Sequence, residues 1–117
     1  MSRLLAIASL AFWLPLEALA EQMTVDDLQQ ICAGSQADTA NACRFYILGV
    51  VEGSVFGNGA KAAAGPLCIA PDVPGSALVV AVKQAMKADL LAFPQDKSLA
   101  AAGFVVAAAM KSFPCKK

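Results

Sequence analysis

Apolar positions recur at helical spacing in four stretches of the chain. In the first, Val25, Leu28 and Ile31–Cys32 share one face at i, i+3 and i+6/7. Thr24 stands ahead of them as an N-cap, Asp26 and Asp27 fall in a first turn that favours anions, and Gly34 supplies the stop. The second stretch predicts a helix capped by Asp38 or Thr39 and running to about Phe56, where Gly57 closes it. Its stripe is Cys43, Ile47 (or Tyr46), Val50 and Ser54. The third begins at Gly75–Ser76 and runs to about Ala92, with Val79, Val82, Met86, Leu90 and Phe93 toward the core. Lys83, Gln84, Lys87 and Asp89 face water, and Pro94 ends the helix. The fourth is capped by Asp96 or Ser98 and reaches about Phe113, before Pro114 and Cys115. No stretch alternates as a strand requires, and no hairpin turn joins two β-branched runs. The pattern predicts an all-α fold, a small bundle of four to five helices.

The first twenty residues are set apart from that pattern. Met1-Ser2-Arg3 is a basic start, Leu4–Leu14 is uncharged with Ser9 its one polar residue, and Ala18-Leu19-Ala20 places small residues before Glu21. This is the layout of a cleaved secretory signal. The run is short of the roughly 20 apolar residues of a spanning helix, and Pro15 interrupts it. Residues 1–20 are expected to leave on export, and residues 21–117 to form one domain with no stable membrane insertion.

Composition narrows the functions open to that domain. Of 117 residues, nine are basic and nine acidic, so there is no electrostatic footprint for nucleic acid. There is no His, which removes the commonest general base and metal ligand. No phosphate loop follows a strand and no Ser has a His partner. The expectation is a protein that is not an enzyme and carries no cofactor, metal ion or catalytic residue. Glu52, mid-helix among apolar neighbours with Arg44 two turns earlier, reads as a solvated position or as a polar contact with a partner.

Cys32, Cys43, Cys68 and Cys115 are an even number in an exported chain, which favours two disulfides. Neither a C-x-x-C redox pair nor close metal-ligand spacing is present. Helix order favours Cys32–Cys43 across one short loop and Cys68–Cys115 across the antiparallel third and fourth helices, although spacing alone leaves the two other pairings open. Such cross-links contribute roughly 3 and 4 kcal/mol respectively.

Three further features bear on partners. Residues 57–75 are rich in Gly and Pro, and a long irregular segment is either a connector or a functional loop. Within it, Gly57, Asn58, Gly59, Lys61 and Pro66 are candidate partner contacts, together with Glu52. The fourth helix has no polar residue from Leu99 to Met110. A helix apolar all round is buried in its domain or against another chain; Phe104, Val105 and Ala108 are therefore candidate self-association residues, with a homodimer as one outcome. Gly49 and Gly53 share a face of the second helix, where each costs about 1 kcal/mol relative to Ala; close approach of another segment is the expected reason.

Four segments in order resemble a known family. CRFYILGVVEG at 43–53 resembles the C-x-x-Y-I-x-G-V-x-[DE]-G segment of Rap/Tai-type immunity proteins. LCIAPDV at 67–73 resembles that family's [FY]-C-I-P-x-x-V run, SFPC at 112–115 its terminal F-P-C, and TVDDLQQIC at 24–32 its opening L-x-x-x-C helix. Leu67 stands where an aromatic is common, Ala70 separates Ile69 from Pro71, and Glu52 replaces the more usual Asp. The resemblance implies a periplasmic, all-helical, often dimeric protein associated with type VI secretion. It implies a protein partner, a peptidoglycan-amidase effector whose cleft the chain occludes. A periplasmic chaperone of acid stress and an envelope adaptor without a toxin partner are the alternatives.

Overall fold

The computed structural model describes residues 22–59, 69–70 and 72–115. The expected signal segment 1–20, and Lys61, Pro66 and Cys68, lie outside the described residues. Four α-helices form the fold: α1 Val25–Ala33, α2 Ala37–Gly59, α3 Gly75–Ala92 and α4 Ala101–Ser112, with a 3-10 helix at Pro94–Ser98 between the last two. Among the described residues the only extended pairings are two isolated bridges, Thr24 with Ala100 and Ile69 with Pro114.

A capping box starts α1. The Asp27 N–H donates to Thr24 Oγ1 at 3.2 Å, and the Thr24 N–H donates to Asp27 Oδ2 at 2.9 Å. The Thr24 N–H and, at 2.7 Å, the Thr24 hydroxyl both donate to Asp27 Oδ2, which favours the carboxylate and holds the Asp27 pKa below its ordinary value. Gly34 ends the helix, and proximity explains the glycine: a Cβ there would lie 2.7 Å from Thr39 Cβ. The chain turns tightly because Cys32 and Cys43 are bonded, with their Cα atoms 5.0 Å apart.

The start of α2 differs from expectation. Gln36 supplies the carbonyl that accepts the Ala40 N–H at 3.0 Å. The Thr39 hydroxyl donates to that same carbonyl at 2.8 Å, so neither Asp38 nor Thr39 is the cap. The helix also continues through Gly57 to Gly59. Glycine weakens a helix without obliging it to stop. The buried stripe is Cys43, Ile47 and Val51, with Val50 and Ser54 half-buried. Successive steps of four continue the stripe to Val51 rather than Val50.

Pro74 caps α3 through its carbonyl, which accepts the Ala77 and Leu78 N–H groups at 3.0 and 3.2 Å. Leu78, Val82 and Met86 are buried, whereas Val79 and Leu90 are half-buried and Phe93 is exposed. The core face thus sits one residue earlier at its start than the pattern predicts, and it ends before Phe93. Asp96 and Ser98 belong to the 3-10 helix: the Asp96 carbonyl accepts from Leu99, and the Ser98 hydroxyl donates to Gln95 at 3.1 Å. They therefore do not cap α4. The first N–H of α4, on Ala101, donates instead to the Met23 carbonyl at 2.9 Å, while the Val25 N–H donates to Leu99 at 2.9 Å. Each helix start thus satisfies one of the other's unpaired backbone groups.

One apolar core joins the four helices. Val25, Leu28 and Cys32 meet the α2 and α3 stripes and Ala101, Val105, Ala108 and Ala109 of α4. Among the described residues, no polar or charged residue is fully buried. At the far end, the Ala70 N–H donates to the Phe113 carbonyl at 3.0 Å. That contact joins the chain just after Cys68 to the chain just before Cys115, and Cys115 is disulfide-bonded.

Candidate partner-binding surface

The inward face of α4 corrects one expectation. Val105 is fully buried and Ala108 is 7% exposed, both within the chain's own core, and Phe104 packs half-buried against it. Val105 and Ala108 therefore present no surface to a second copy. The outward face is Ala102, Gly103, Val106, Ala107 and Met110. Together with Gly49, Val50, Gly53 and Ser54 of α2 it lines a groove of about 580 Å³. Gly49 and Gly53 are a second correction. Among the described residues a Cβ at either would meet nothing within 4 Å, so no described segment crowds them and they leave the groove open. Its walls carry no charge. Ser54, their one hydroxyl, donates to the Val51 carbonyl at 2.8 Å.

A second groove, of about 480 Å³, runs between α2 and the segment entering α3. Leu48, Val51 and Val55 form one wall, Ile69, Val73 and Leu78 another, and Glu52 is the charged residue on its lining. Glu52 and Arg44 are both exposed. Of the other candidate contacts, Gly57, Asn58 and Gly59 form the last residues of α2, beyond this groove. The structure thus brings Glu52 to an apolar recess and puts the Gly57–Gly59 backbone on the helix that supplies it.

Sequence reasoning passed over the pair Asp89 and Asp96. Asp89 Oδ2 has no exposed area and no hydrogen-bond partner among the described residues. Desolvation first, then the neighbouring Asp96 carboxylate, raise the Asp89 pKa, with Lys111 opposing them. The seven-residue spacing across the Pro94 turn is the one signal that could have disclosed it. Among the described residues no group of three His, Cys, Asp or Glu side chains is placed to hold a metal ion, and no helix is long and apolar enough to cross a membrane.

These features describe a cross-linked helical body with two largely apolar grooves, one of which carries Glu52 on its lining. The model of the Rap1a immunity proteins matches residues 24–115, which takes in α1, the disulfide and α4. No curated protein and no solved structure matches the chain. On the extent of the family match, the chain belongs to the Rap1a immunity protein family.

Proposed function

We propose that the chain is a periplasmic immunity protein that binds a cognate peptidoglycan-amidase effector of type VI secretion and occludes its cleft. The observation that carries this reading is the family match over 24–115. The bonded Cys32–Cys43 pair supports an oxidising compartment. Export proceeds through residues 1–20, with cleavage before Glu21. Cys68 is the partner of Cys115, as the Ile69–Pro114 bridge favours. Inhibition is steric and makes or breaks no bond. Glu52 and the end of α2 at Gly57, Asn58 and Gly59, continuing to Lys61 and Pro66, form the effector contact. Self-association into a homodimer belongs to the same reading.

The test is a titration of the purified oxidised protein into an amidase effector from the same genome while peptidoglycan cleavage is followed. Activity is expected to fall linearly to zero at a fixed stoichiometric ratio. Full cleavage at a large excess of the protein would reject the reading.

A further inference from the structure

The two sides of the Cys32–Cys43 bond differ in their access to solution. Cys43 is 2% exposed and belongs to the shared core. Cys32, in the last turn of α1, also lines a third groove, of about 370 Å³, between α1 and α3. Lys83 and Lys87 of α3 stand on the same lining, both exposed. They are four residues apart on one helix face, where like charges repel. An anion held between them relieves that repulsion. Gln29 of α1 and Gln84 of α3 add hydrogen-bonding amides, and no carboxylate is among the described residues that line the groove. Unlike the uncharged α2–α4 groove, this one selects by charge.

We propose that this groove is the entry for thiol–disulfide exchange, and that Cys32 is the sulfur an anionic thiol attacks there. The nucleophile is a thiolate, and access decides which of two bonded sulfurs it reaches. Lys83 and Lys87 draw in a thiol that carries carboxylates and favour its ionised form beside Cys32. The incoming thiolate forms a bond to Cys32 Sγ. The bond between Cys32 and Cys43 breaks, its electron pair leaves on Cys43 Sγ, and that sulfur takes a proton from solvent. One disulfide replaces another, so no separate oxidant or reductant is consumed. The product carries the small thiol on Cys32 and a free thiol at Cys43, and α1 is no longer tied to α2. The corner is thus a cross-link that an anionic thiol can open from one side.

The test exposes the oxidised protein to glutathione, an anionic thiol, and in parallel to cysteamine, a cationic one. Acid quenching, alkylation of the freed thiol and fragment mass spectrometry place each adduct. Glutathione is expected on Cys32 roughly tenfold or more over Cys43. Per unit of thiolate, glutathione should react faster than cysteamine, and about 1 M salt should erase the difference, because screening then acts within about 3 Å. Lys83→Gln with Lys87→Gln should slow glutathione roughly three- to tenfold and leave cysteamine no slower. Both lysines are exposed, so helical circular dichroism should be unchanged. Lys97→Gln with Lys111→Gln removes the same net charge away from the groove lining and should leave the glutathione rate as it was. Adducts on Cys43, or on both cysteines equally, would overturn the entry through Cys32. Equal loss of rate in the two double variants would overturn the role of the groove.

Discussion

Replacing both Cys32 and Cys43 by Ala tests how the α1–α2 corner is held. The two cysteines are 11 residues apart. Closing a loop of that length in the unfolded chain costs about 3 kcal/mol of conformational entropy, which the cross-link removes in advance. Both cysteines are also buried, at 7% and 2% exposure. Their deletion adds a packing loss of about 1 kcal/mol, comparable to removing a buried methyl group. The expected total is about 4 kcal/mol, a large part of the roughly 5–15 kcal/mol that stabilises a typical domain. Urea denaturation of the oxidised proteins reads it directly. Thermal scans should show a fall of roughly 15–30 °C, because 1 kcal/mol moves a domain of this size by about 4–8 °C. A loss below about 1 kcal/mol would refute the reasoning, since it would mean that α1 is anchored by its apolar face and its bridge to Ala100 without help from the disulfide.

Three further perturbations follow from the geometry. Thr24→Ala should cost about 1 kcal/mol at neutral pH by urea denaturation. The depressed Asp27 pKa means its contribution is present above the ordinary value of 3.8 and is lost as pH falls through the folded value. The gap between wild type and variant should therefore narrow in acid, and a gap independent of pH would contradict the capping box. Asp89 has the opposite sign: its raised pKa makes a contribution present below 3.8 that is lost as pH rises through the folded value. Asp89→Asn should flatten that part of the profile of thermal midpoint against pH, and superimposable profiles would argue against the Asp89–Asp96 pairing. Met86→Ala empties a fully buried position between α1 and α3. It should cost about 2–5 kcal/mol in the same urea assay, and a loss under about 1 kcal/mol would remove Met86 from the core.

Those elements differed in how well the chain announced them. The start of α1 was legible because its cap is local: Thr24 and Asp27 are three residues apart, and the side chain of each accepts the other's backbone N–H. The bounds of α3 were legible because Gly75 and Ser76 open it and Pro94 stops it. The rotation of α4 was not. With every residue from Leu99 to Met110 apolar, sequence periodicity separates two faces without saying which turns inward. That choice is made by the other three helices, with whose buried residues Ala101, Val105 and Ala108 form one core. The start of α4 was hidden for a related reason. Its first N–H is satisfied by Met23, far away in sequence, so no capping side chain marks it. The groove at Gly49 and Gly53 was misread because a helical glycine signals close approach or open space equally well. Only the placement of α4 shows that no other described segment fills the space.

The central claim is that an exported, oxidised helical body protects by binding an amidase and does no chemistry of its own. Survival of cells directing the amidase effector to their periplasm tests it most directly, with the chain co-expressed with or without residues 1–20. The account predicts survival with the intact chain and lysis when the export segment is deleted. Lysis in both cases, or equal protection by the form that is not exported, would contradict it.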